Sequence, residues 1–120
     1  MKTINSGSKI SIRILEVLFI ALILSSGCSK SSTTNPTPGS NEVFIQSFAF
    51  TPETITVTVN TTITWTNKDA VAHTVTSDIG IFDSGSINAN ATYSHQFSVA
   101  GTYNYHCTIH STMLAKVVVQ

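Results

Sequence analysis

Residues 54–66, TITVTVNTTITWT, alternate with a period of two, and this alternation decides the fold class. Ile55, Val57 and Val59 share one face while Thr54, Thr56 and Thr58 share the other. After Asn60–Thr61 the pattern resumes, with Ile63 and Trp65 opposite Thr62, Thr64 and Thr66. Successive side chains of a strand point to opposite faces, so such a segment belongs to a half-buried sheet. Threonine suits the solvated face of that sheet. Asparagine tolerates the left-handed backbone of a tight turn, which reads 54–66 as a hairpin turning at Asn60–Thr61. Nowhere in 42–120 do apolar residues recur with the i, i+3, i+4 rhythm of a helix over three turns.

Further strands are expected at 43–49, 72–77, 91–97, 102–107 and 115–119, with turns at Asp78–Gly80, Ser84–Gly85 and Ala100–Gly101. Short strands at roughly ten-residue spacing make an all-β sandwich or barrel of about seven to eight strands. The predicted core holds Phe44 or Phe48, with Phe50, Ile55, Val57, Ile63, Trp65, Val75, Phe97, Tyr103, Tyr105, Val117 and Val119. A core this modest often leans on a metal or on disulfides.

The chain before residue 42 has a different character. Lys2, Lys9 and Arg13 precede ILEVLFIALIL at 14–24, which is apolar except for Glu16 and is followed by SSGC. A basic head, a short apolar run and a small-residue exit predict a secretory signal over 1–27. The run falls short of the roughly 20 residues that cross a bilayer. Leu24, Ser25, Ser26, Gly27 and Cys28 resemble a bacterial lipobox, with the leucine one position further from the cysteine than is usual. That resemblance implies lipidation of Cys28, and acyl chains would hold the protein on a membrane without a spanning helix. Residues 28–41 continue in Ser, Thr, Pro, Gly and Asn, a lipid-anchored linker with almost nothing to bury. The expected organisation is a signal peptide at 1–27, the linker at 28–41 and one domain at 42–120. Its expected location is the bacterial cell envelope, facing the periplasm or the cell surface.

Within 42–120, Lys68 and Lys116 stand against Glu42, Glu53, Asp69, Asp78 and Asp83, a formal charge of −3. No basic patch exists to attract nucleic acid. With Cys28 lipidated, Cys107 has no intrachain partner for a disulfide, and a lone thiol in an exported protein calls for a role.

That role is suggested by YHCTIHSTM at 105–113, which spaces Cys107, His110 and Met113 three residues apart. Thiolate and thioether ligands favour copper, zinc or an iron–sulfur cluster over the harder ions that carboxylates and carbonyls bind. One further strong ligand is needed. His106 follows Tyr105 and precedes Cys107 in a strand, so it points to the face opposite Cys107. His73 and His95 remain, and spacing does not separate them.

The segments GTYNYHCTIHSTM and FTPETITVTVNTTITWTNKDAVAHTVTS resemble the cupredoxins, of the plastocyanin and amicyanin type, over nearly all of 42–120. The resemblance implies a Greek-key β-sandwich and one copper per chain. It implies Cys107, His73 and His110 as the strong copper ligands and Met113 as the weak axial one, the set of a blue electron-transfer site. It leaves His95 as a packing residue and His106 as a solvated one. Two positions depart from the family: Ile109 stands where proline is common, and Thr74 where an asparagine ties the two ligand loops together. The hydroxyls of Thr74 and Thr108 are candidates to replace that tie.

The resemblance further implies a single-electron carrier, not an enzyme, exchanging electrons with a redox donor and acceptor such as a cytochrome, an oxidase or a reductase. A multicopper oxidase would need several His-x-His pairs, and the chain has none. The carrier is expected to be a monomer tethered through its lipid. A copper-delivery lipoprotein is the alternative, but it would display more methionines than Met1 and Met113. A metal-free adhesive module leaves the Cys, His and Met spacing unexplained.

Overall fold

A computed structural model describes residues 36–120. The expected signal segment 1–27, Cys28 and linker residues 29–35 lie outside the described residues. The described chain forms β1 (Glu42–Gln46), β2 (Ala49–Thr51), β3 (Thr54–Val57), β4 (Thr61–Asn67), β5 (Thr76–Ser77), β6 (Thr92–Phe97), β7 (Gly101–His106) and β8 (Leu114–Val119). No helix occurs among the described residues. The strands make two four-stranded sheets, ordered β2-β1-β4-β6 and β3-β8-β7-β5. The β1–β4 and β3–β8 pairs are parallel and the other pairs antiparallel. The expected all-β class and strand number are borne out.

The core is aromatic and spans both sheets. Trp65 of β4 and Tyr105 of β7 are fully buried with ring centroids 5.6 Å apart, and Trp65 Nε1–H donates to the Tyr105 hydroxyl at 3.1 Å. Burial pushes the Tyr105 phenol well up, against the pull of that hydrogen bond. Phe97, Phe82 and Tyr93 pack around the same indole. A buried Trp or Tyr carries a polar atom that must find a partner, and here each satisfies the other across the two sheets.

Three local expectations are corrected. Residues 54–66 are not a hairpin: β3 pairs with β8, Ile55 opposite Val117, while β4 pairs with β1 and β6. Asn60 does adopt φ 66°, and Thr61 N–H bonds the Thr58 carbonyl, but the turn carries the chain from one sheet to the other. Alternation specifies which face is buried and leaves the partner strand open. The expected strand at 43–49 is broken by a turn at Ser47–Phe48, with Phe44 buried before it and Phe48 53% exposed. The expected strand at 72–77 shrinks to Thr76–Ser77, with His73 held instead by an isolated bridge to Ile87.

Core residues not foreseen include Val43, Ile45, Phe82 and Ile87. Val43, Phe44 and Ile45 are buried in succession: Val43 and Ile45 face the core, while Phe44 is on the opposite face with Lys68 Nζ 4.6 Å from its ring centroid. Phe82 and Ile87 come from the long connection between β5 and β6, whose turn-like sequence hides two core side chains.

Candidate metal centre

Asn67 ends β4 and builds the loop that carries His73. Its side chain, with no exposed surface, donates to the carbonyls of Val71 at 2.8 Å and Ile87 at 2.9 Å, and its Oδ1 accepts from Asp69 N–H at 3.0 Å. The His73 backbone exchanges two hydrogen bonds with Ile87, at 3.1 and 2.8 Å. The buried end of the loop at His73 therefore has its backbone polar groups paired.

His73 is fully buried, and its Nε2 lies 2.9 Å from Asp69 Oδ2. Burial by itself raises the Asp69 carboxyl, but the amides of Phe48 and Ser47 and the His73 ring outweigh it and hold Asp69 below its ordinary value. An ionised carboxylate only accepts, so His73 carries its proton on Nε2 and turns the Nδ1 lone pair inward. This ring orientation comes from a residue that sequence reasoning did not single out.

The second loop follows β7. Cys107 is fully buried, Met113 is buried and His110 half-buried. Cys107 N–H donates to the Met113 carbonyl at 3.1 Å and Met113 N–H to the His110 carbonyl at 3.0 Å, closing the loop on itself. Two bonds join it to the His73 loop: Thr74 N–H donates to Cys107 Sγ at 3.3 Å, and Thr108 N–H to Thr74 Oγ1 at 2.8 Å. The Thr74 and Thr108 hydroxyls are themselves 3.0 Å apart. Threonine here provides a tie between the loops where the family commonly has asparagine. Thr76 extends the hydroxyl chain toward Asp83.

The result is a triangle of donor atoms. Cys107 Sγ lies 3.8 Å from both His73 Nδ1 and His110 Nδ1, and the two nitrogens are 3.1 Å apart. Among the described residues, these three are the group of His, Cys, Asp and Glu side chains close enough to hold one ion. Metal bonds of about 2.3 Å to sulfur and 2.0 Å to nitrogen sum, pairwise, to more than each edge, so a single ion reaches all three corners. Of the four residues singled out from sequence, the structure brings His73, Cys107 and His110 together and buries Met113 at the end of the same loop. His95 lies elsewhere, on β6 against Phe82 and Phe97, and His106 pairs with Asp78 at 2.6 Å.

The family of cupredoxin-like domains matches residues 14–119. The chain belongs to the cupredoxins. It is 37% identical to amicyanin-alpha of Methylorubrum extorquens over 87 residues, covering 68% of this chain and 73% of that protein. It is 40% identical to amicyanin of Paracoccus denitrificans over 75 residues, which spans 58% of this chain and 56% of the relative. Its fold resembles the purple cupredoxin of Nitrosopumilus maritimus with a TM-score of 0.63 at 28% identity, covering 66% of this chain and 98% of that one. For this cupredoxin the cofactor is copper, one ion per chain, which agrees with the soft donors its loops assemble.

Proposed function

We propose that this cupredoxin is a single-electron carrier whose copper is held by His73, Cys107 and His110, with Met113 as the weak axial donor. The observation that carries the reading is the triangle of Sγ and two Nδ1 atoms, built by two loops that are already tied together without metal. Bound copper supplies a one-electron couple, and its two oxidation states favour different geometries. The chain's own part is to hold the donors still. Asp69 fixes the His73 ring, the Thr74 amide donates to the thiolate sulfur, and the buried walls keep water from three of the four donors. Small movement between states is what rapid electron exchange requires. An N–H bond to sulfur also stabilises the thiolate's charge and so takes part in setting the potential.

The same reading makes the protein a carrier and not an enzyme, working as a monomer between a donor and an acceptor such as a cytochrome, an oxidase or a reductase. Residues 1–27 then direct export, lipidated Cys28 anchors the chain at a membrane of the bacterial envelope, and 28–41 spaces the domain from it. The basic and apolar order of 1–24 and the small-residue run into Cys28 support this organisation. Mass spectrometry of the membrane-extracted protein tests it through an acyl mass on a chain beginning at Cys28.

Titration of the metal-free protein with Cu(II), followed by visible absorption and electron paramagnetic resonance, tests the copper reading. An intense blue band that saturates at one equivalent, with narrow copper hyperfine splitting and bleaching by ascorbate, is expected. A pale adduct without a thiolate band would refute the ligand set.

A further inference from the structure

Ser47 and Phe48 are consecutive non-glycine residues in the left-handed region, at φ 55° and 58°. A bulky side chain is poorly suited to that backbone, and a two-residue hairpin turn of this kind favours Asn-Gly. The other two non-glycine residues with positive φ, Asn60 and Asn90, are both asparagines, the type that tolerates it. Phenylalanine at 48 thus goes against a rule followed elsewhere in the same domain. Its ring gains little from the core, being 53% exposed.

Two observations show what the turn achieves. The Asp69 carboxylate accepts from Ser47 N–H at 2.7 Å and Phe48 N–H at 3.0 Å, while also accepting from His73 Nε2. One side chain therefore clamps the strained turn and the buried imidazole together. The Phe48 ring then stands edge-on to both imidazoles, 5.5 Å from His73 at 80° and 4.9 Å from His110 at 86°. Backbone strain kept where it builds no core is a pointer to function.

We propose that Phe48 is a positioning residue that shields the His73–His110 pair, closing the half-buried His110 side of the centre to small solutes, with Asp69 as its clamp. The shield rests on the copper reading for its purpose but not for its geometry, so two readouts separate them. In the first, azide is titrated into the copper-loaded parent, Phe48→Asn and Phe48→Tyr. The Asn variant should respond at about tenfold lower azide than the parent, the equivalent of losing one aromatic contact. The Tyr variant, which keeps a ring in place, should behave as the parent does. In the second, metal-free protein is treated with iodoacetamide and the Cys107 peptide is followed by mass spectrometry. Cys107 should be alkylated faster in Phe48→Asn than in the parent or Phe48→Tyr.

Urea unfolding of the metal-free proteins guards against a trivial result. Phe48→Asn should be at least as stable as the parent, because asparagine accepts the left-handed backbone. Loss of the thiolate band from all three proteins would sink the copper reading and leave alkylation to decide the shield. Equal azide response and equal alkylation across the three would overturn the shield alone. Greater access that appears only with a lowered urea midpoint would also overturn it, since Phe48 would then be a packing residue.

Discussion

His73 and His110 offer the same nitrogen to the same point, yet the loops behind them are held in opposite ways. The His73 loop is fastened from outside by Asn67, Asp69 and the Ile87 bridge, and its ring is locked through Nε2. The 107–113 loop is short and fastened partly to itself, by the Cys107–Met113 and Met113–His110 bonds, and partly to Thr74 of the other loop. His110 is half-buried, and its described contacts are with the other donors and the Phe48 ring. One loop is scaffold that carries one proposed ligand, and the other is a set of proposed ligands that leans on the scaffold. The difference teaches where rigidity comes from: buried polar networks specify geometry because every broken bond leaves a costly orphan.

The largest effect should come from the ligand loop. Cys107→Ser replaces a soft thiolate with a hydroxyl and should abolish the blue band entirely. The metal-free fold should survive, with stability within about 1 kcal/mol of the parent, since the change is small and isosteric. Optical titration with copper and urea unfolding of the metal-free protein check the two halves. A variant that stayed blue would remove Cys107 from the ligand set.

Asn67→Ala should show the reverse pattern. It removes the partner of the Val71 carbonyl and of the Asp69 amide and takes from the Ile87 carbonyl one of its two donors, at a cost of roughly 2 kcal/mol to the metal-free protein. The donors themselves are untouched, so whatever folds should still turn blue with copper. Urea unfolding without metal and absorption with it separate these expectations. If Asn67→Ala lost its colour while keeping its stability, the contrast between scaffold and ligand loops would collapse.

Thr74→Val acts where the two loops meet. It keeps the Thr74 amide bond to sulfur but leaves the part-buried Thr108 amide without its acceptor, which should cost about 1 kcal/mol. Freed from one of its two ties, the thiolate loop should shift in potential, measurable by voltammetry. A potential identical to the parent's would mean that the sulfur contact alone holds the loops in register.

These contrasts also mark what the sequence made legible. Cys107, His110 and Met113 were readable as candidate ligands because one loop carries all three at a regular spacing. His73 was readable only through family resemblance, since spacing left it level with His95. Asp69 and Asn67 gave no signal: they act through an irregular loop, where no period of two or 3.6 marks a partner. The Ser47–Phe48 turn was hidden because apolar residues stand on both sides of Gln46–Ser47, with none of the Gly or Asn that usually marks such a turn. The sheet assignment of β3 and β4 was lost for a related reason, as alternation reports faces but not neighbours.

His95 supplies the smallest effect and a control outside both loops. It packs 5.0 Å from Phe82 and 4.9 Å from Phe97, and burial lowers its pKa from the ordinary value of 6.5. The neutral ring is therefore favoured in the folded state relative to the unfolded one. Stability is full above about pH 6.5 and declines as the pH falls through the lowered folded value, because the unfolded chain takes up the proton first. His95→Gln, which cannot titrate, should flatten that part of the acid limb in urea unfolding at fixed pH values between about 7 and 5. Part of the ring is solvated, so the change in slope should be small. The blue band and the potential should not move at all. A changed spectrum would show that the aromatic core around Trp65 reaches the copper loops, and the division between scaffold and ligand regions would need to be drawn further into the sheets.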